Sequence, residues 1–174
     1  MWRVEMRTHV GGRRIKMGKS EARILVSTLK DQGLTVAVAE SLTGGEVCSR
    51  IVDISGASQV LRGAIVAYAT ELKRTLLGVD ASLLASGGPV QAQVAIQMAQ
   101  GVARECQADV GIATTGVAGP GDSPDGPEGL VYVAAWTSSG TLVRELHLEG
   151  GRKRIRAHAS EVVLRLATEA IKRV

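Results

Sequence analysis

Apolar residues recur along this chain with two periods, and the switches between them mark the elements. Over residues 20–31 they fall at Ala22, Ile24, Leu25 and Leu29, the spacing of one helical face, and Gly33 provides a stop. The compact apolar run over 34–39 predicts a buried strand, followed by a helix over 45–52 and a turn at Ser55-Gly56-Ala57-Ser58. Residues 63–69 predict a second strand. A short helix follows over 71–77, with Thr70 placed as its N-cap, and another helical piece over 80–85. Val94, Met98, Val102 and Cys106 share one face of a longer helix predicted over 90–106. A third strand is predicted over 110–114. The stretch 116–129 holds five Gly and three Pro in fourteen residues, which forbids a regular element. Two strands, 130–137 and 141–148, flank Ser138-Ser139-Gly140 as a hairpin, and a helix is predicted over 152–174. Helices alternating with buried strands, then a hairpin, predict one three-layer α/β/α domain with a mixed, mostly parallel sheet.

Composition narrows the picture. The 174 residues suffice for one domain with a sizeable core. Phe is absent, and Trp2, Trp136, Tyr68 and Tyr132 are the only aromatic residues, so Val, Leu, Ile and Ala must build the core. This scarcity argues against stacking on single-stranded nucleic acid. Net charge is +4, yet residues 1–19 alone hold six basic residues against Glu5, or +5, leaving −1 for the remainder. Residues 1–18 are therefore expected to be a basic flexible arm preceding a domain over 19–174, and nucleic acid is not expected as a partner. No signal peptide or membrane span is expected, which points to the cytoplasm. Cys48 and Cys106 lack CxxC context and are expected to be buried free thiols.

Three features carry candidate chemistry. Ala39-Glu40-Ser41-Leu42-Thr43-Gly44-Gly45 joins a strand to a helix. That junction serves equally an ordinary cap and turn, or a hydroxyl beside N–H groups that hold a phosphate or oxyanion. The loop Thr115-Gly116-Val117-Ala118-Gly119-Pro120 follows a strand, where α/β folds place ligand loops, but matches neither the Walker nor the dinucleotide pattern. Lys73 lies five residues after Tyr68, early in a helix. It reads either as a solvated lysine or as a partly buried one whose pKa is lowered enough to act as a base. His9, His147 and His158 belong to no motif, no Gly-x-Ser-x-Gly elbow is present, and no metal cluster or cofactor is expected.

Together these motifs resemble the CinA C-terminal domain family, the nicotinamide-nucleotide amidases. Ala39-Glu40-Ser41-x-Thr43-Gly44-Gly45, Gly63-x-x-x-x-Tyr68-x-x-x-x-Lys73 with Leu77-Gly78-Val79, Thr115-Gly116-Val117-Ala118-Gly119-Pro120, and Gly150-x-Arg152-x-x-Ile155-Arg156 occur in the family's order over about residues 20–172. The resemblance implies a Ser/Lys amidohydrolase that converts nicotinamide mononucleotide to nicotinate mononucleotide and ammonia. It implies Ser41 as nucleophile, Lys73 as general base and Tyr68 as a supporting hydroxyl. It further implies substrate contacts from Thr43, Gly44, Gly45, Thr70, Thr115, Gly116, Ala118 and Gly119. The backbone around Thr43 to Gly45 is the expected oxyanion hole. The expected partners are a small nucleotide and a second copy of the chain, with a dimer favoured. The family's domain often follows a pyrophosphatase-like domain, and a stand-alone version is expected here. Thr70 replaces a usual Asn, Gln91 a usual Ser, and Gly151 a usual Asp. These departures suggest a competing reading, a nucleotide-binding regulatory module that has lost catalysis. The basic arm suggests a third, a nucleic-acid-associated protein.

Overall fold

A computed structural model describes residues 20–173. The predicted basic arm therefore lies outside the described residues. Helix α1 (Glu21–Gln32) opens on Ser20, whose hydroxyl accepts from the Arg23 N–H, and closes on Gly33 in the left-handed conformation. Strand β1 (Val36–Glu40) leads into helix α2 (Glu46–Val52). After a single 3-10 turn come strand β2 (Leu61–Val66) and helix α3 (Thr70–Leu77). Helices α4 (Ala81–Gly87) and α5 (Ala92–Glu105) then return the chain to strand β3 (Val110–Gly116). Strands β4 (Leu130–Thr137) and β5 (Gly140–His147) form the hairpin, and helix α6 (Gly151–Ile171) ends the domain.

The five strands stand in the order β2-β1-β3-β4-β5. β1 pairs parallel with both β2 and β3, whereas β3–β4 and β4–β5 are antiparallel. Four of the five strands thus point the same way. Alternation along β1 sets the layers: Val36 and Val38 face one core with α1, α2 and α6, while Ala37 and Ala39 face the other with α3 and α5. The second face is built from small residues because α5 lies very close to it. A Cβ on Gly111 would stand 1.9 Å from the Ala99 carbonyl oxygen.

Several boundaries differ from expectation. β1 ends one residue later than predicted, at Glu40, and begins two later. The Thr35 N–H and hydroxyl are held by Asp109 at 2.8 and 2.7 Å instead of entering the ladder. β2 leaves the sheet after Val66, which carries Tyr68 out to solvent at 59% exposure. Thr70 is not the cap of α3 but its first residue; Ala69 takes the N-cap position without a side-chain bond. Gly116 extends β3 by pairing with Val131, and the irregular loop starts beyond it. Both thiols are free but only half-buried, a correction to the expected full burial.

Candidate active site

The parallel-paired strands β1, β2 and β3 deliver their C-terminal ends to one edge, at the β1/β3 switch point of the sheet, where open α/β folds place ligands. β1 delivers Ser41, whose N–H donates to the Thr114 carbonyl at 3.1 Å. β2 delivers the Ala67-Tyr68 turn and then α3. β3 delivers the loop from Val117 onward. A cavity of about 300 Å³ opens there, lined by Ser41, Leu42, Tyr68, Thr70, Lys73, Thr115 and the loop that includes Asp122 and Asp125.

Lys73 settles the alternative that its sequence left open. Its side chain is among the largest fully buried ones, with 1% of the residue exposed. The Nζ donates to Ser41 Oγ at 3.0 Å, to the Ala67 carbonyl at 2.9 Å and to the Tyr68 carbonyl at 3.4 Å. Burial lowers its pKa from 10.5 to about 8, against the opposing pull of the Asp125 and Glu71 carboxylates. A neutral Lys73 would keep two N–H bonds to the carbonyls and turn its lone pair toward the Ser41 hydroxyl. The same contacts therefore serve both protonation states.

The strand-to-helix turn after Ser41 is closed from within. Glu40 is fully buried, and its carboxylate accepts from the N–H groups of Gly45 (2.8 Å), Val47 (3.2 Å) and Cys48 (2.8 Å). The N–H groups at the start of α2 are thus taken by the chain's own carboxylate. Thr43 is buried, with its hydroxyl 2.7 Å from that of Thr114, and the Gly44 N–H donates to the Ser41 carbonyl. Arg156 fastens the turn from α6, donating to the carbonyls of Leu42 (3.0 Å) and Thr43 (2.6 Å). Thr43, Gly44 and Gly45 consequently do not line the cavity. The Leu42 N–H, immediately after Ser41, has no acceptor among the described residues.

The remaining sequence-predicted positions gather around the dyad. Tyr68, Thr70, Thr115, Gly116, Ala118 and Gly119 all line the cavity. The Thr115 hydroxyl is committed to the Pro89 carbonyl at 2.7 Å. Tyr68 reaches Lys73 through its backbone carbonyl; its hydroxyl instead accepts from Arg152 at 3.1 Å. Arg152 also donates to the Gly119 carbonyl at 2.8 Å, so one guanidinium at the cavity rim joins α6, the β2–α3 turn and the Gly-rich loop. Glu40 and Arg152 stood in the quoted motifs without a role, and Asp125 was not singled out by the sequence. Only Glu40 left a local signal, a carboxylate a few residues ahead of the free N–H groups of a helix start. Gln91 does not line the cavity; its amide donates to the Leu83 and Gly88 carbonyls and fastens α4 to α5. His147 pairs with Glu145 at 2.8 Å, and neither it nor His158 lines the cavity.

Comparison with known proteins identifies the family of the chain. The family model described as the CinA C-terminal domain matches residues 19–171. A CinA-like protein of Kosmotoga olearia is 40% identical over 154 residues, covering 88% of this chain and 37% of that protein. The crystal structure of competence/damage inducible protein CihA from Agrobacterium tumefaciens matches with a TM-score of 0.82 at 35% identity, covering 87% of this chain and 93% of that one. A CinA superfamily protein from Klebsiella pneumoniae shares the fold with a TM-score of 0.85 at 24% identity, over 88% and 97% of the two chains. The chain spans about a third of the length of the curated relatives it matches, 35% and 37% for two of them. By both its sequence motifs and its fold, the chain belongs to the CinA C-terminal domain family.

Proposed function

We propose that the domain is a Ser/Lys amidohydrolase that converts nicotinamide mononucleotide to nicotinate mononucleotide and ammonia, acting in cytoplasmic pyridine nucleotide salvage. The observation that carries the chemistry is the contact between Lys73 Nζ and Ser41 Oγ, 3.0 Å apart at the floor of a cavity, with the lysine buried and its pKa lowered to about 8. The choice of nucleotide rests on the family resemblance. It is supported by Arg152 at the cavity rim, a fixed cation suited to a phosphate.

In the first half-reaction neutral Lys73 removes the Ser41 proton as Oγ attacks the amide carbon. The Leu42 and Thr43 N–H groups, on the two residues after the nucleophile, have no acceptor among the described residues and are the candidate donors to the oxyanion. The C–N bond then breaks, and the Lys73 ammonium gives its proton to the departing nitrogen, which leaves as ammonia. In the second half-reaction Lys73 takes a proton from water as that water attacks the Ser41 ester, then returns it to Oγ as the acid departs. Overall one water is consumed. The Ala67 and Tyr68 carbonyls hold Nζ in line throughout. Among the described residues no helix is long and apolar enough to cross a membrane, and no group of three or more His, Cys, Asp or Glu is placed to hold a metal ion. The proposed chemistry calls on neither.

The test is product identification. Purified protein incubated with nicotinamide mononucleotide should yield nicotinate mononucleotide and ammonia in equal amounts. Binding of the nucleotide without either product would favour the regulatory-module reading instead.

A further inference from the structure

We propose that Asp125 is a specificity-determining residue that selects amides carried on a cationic ring, an N-substituted pyridinium, over amides on a neutral ring. The proposal rests on the amidase reading and names the charge state of the substrate that this site takes. Asp125 lines the same cavity as Ser41 and Lys73. Its carboxylate stands against Gly88, where a Cβ would lie only 2.7 Å from Oδ1, so no side chain screens it from that side. The other acidic residue of the lining is committed, because Asp122 Oδ1 accepts from the Glu128 N–H at 2.8 Å. The Asp125 N–H is held by Ser123 Oγ at 3.1 Å, but its carboxylate has no ion-pair partner among the described residues. Asp125 is itself exposed, so a ligand entering the cavity meets an accessible, unpaired carboxylate that a cation can partner.

Geometry decides where that cation must be. The amide carbon has to stand against Ser41 Oγ, and Lys73 Nζ is 3.0 Å from that oxygen. Asp125 lines the same cavity of about 300 Å³ as Ser41 and Lys73. A ring bonded directly to the carboxamide occupies that cavity together with the Asp125 carboxylate and meets its field. Arg152, bonded to Tyr68 and Gly119 rather than to the dyad, supplies the opposite charge at the rim. Such a lining complements a zwitterion with a positive ring and a negative phosphate. A neutral ring gains nothing from Asp125, and the carboxylate formed by hydrolysis is repelled by it, which favours release of the acid.

The experiment uses the full chain with Ser41→Ala, which permits binding without turnover. Titration calorimetry at pH 8.5 and low salt compares nicotinamide mononucleotide with its reduced dihydropyridine form, which keeps the carboxamide, ribose and phosphate but has a neutral ring. Adding Asp125→Asn should weaken the oxidised form about tenfold, the effect of one unit charge at roughly 6 Å in a half-solvated cleft, and leave the reduced form within about twofold. Asp125→Glu should restore the preference. An equal loss for both forms, no loss for either, or failure of the Ser41→Ala protein to bind the oxidised form would overturn the proposal. Turnover by the wild-type chain is measured alongside. No ammonia release with the charge preference intact would sink the amidase reading alone. Turnover without the preference would sink only the assignment to Asp125.

Discussion

Replacing Lys73 with Met removes the proposed base and, with it, a burial penalty whose size and pH window follow from the structure. In the fold the Lys73 ammonium is desolvated, and its pKa falls from 10.5 to about 8. That depression is worth about 3 kcal/mol at 1.36 kcal/mol per decade, or about 2 after screening through the open cavity. Between pH 8 and 10.5 the unfolded chain holds the extra proton, so stability contributed by this site rises with pH across that window. The penalty is fully present below pH 8 and is relieved by about pH 10.5. Met carries no charge to desolvate, but it leaves the Ala67 and Tyr68 carbonyls without their donor, a loss of about 1 kcal/mol each. At pH 7 the variant should therefore lie within about 1 kcal/mol of wild type while losing all measurable amidase activity. Its relative stability should then decline by about 2–3 kcal/mol as pH is raised to 10.5. Urea denaturation of both proteins at matched pH isolates Lys73, because every other group titrates in both. In wild type, kcat/KM should rise through the same apparent pKa near 8. A stability difference that stays flat across this range would refute the argument that Lys73 is a desolvated base.

Glu71→Gln and Asp125→Asn each remove a carboxylate that raises the Lys73 pKa, so both should move the rising limb of kcat/KM to lower pH, Asp125→Asn further; pH–rate profiles check this. Glu40→Gln leaves one acceptor oxygen where a buried carboxylate serves three N–H donors, and should cost about 2–4 kcal/mol in urea denaturation and lower kcat by loosening the Ser41 turn. Gly101→Ala should destabilise by about 2–3 kcal/mol despite the better helix propensity of Ala. Its Cβ would stand 2.0 Å from the Leu77 carbonyl oxygen, and thermal melting measures the loss.

The layers were legible because the central strands β1 and β3 are buried on both faces, and the helices carry apolar stripes that match them. Val36 and Val38 against Ala37 and Ala39 is a pattern that a sequence displays directly. The candidate dyad was legible only as two motifs 32 residues apart, brought together by the parallel pairing of β1 with β2. What could not be read was which group satisfies which. The start of α2 looks open in sequence, and only the fold shows that the Glu40 carboxylate turns back into it. The fate of the Tyr68 hydroxyl depends on Arg152, 84 residues further along the chain. Lys73 could be surface or core from its neighbours alone. The choice is made by α3 packing so that Nζ meets the Ala67 and Tyr68 carbonyls. Asp125 was hidden within a loop whose irregularity was evident but whose path was not.

Ser41 and Lys73 are proposed here as the machinery of an amidase. The most direct measurement is the rate of ammonia release from nicotinamide mononucleotide by the wild-type protein and by Ser41→Ala, side by side at pH 8.5, with nucleotide binding to each followed separately. Wild type should release ammonia steadily, the variant none measurable above background, and both should bind the nucleotide comparably. Release at similar rates from both proteins would contradict this assignment, as would no release from a folded wild-type protein that binds the nucleotide.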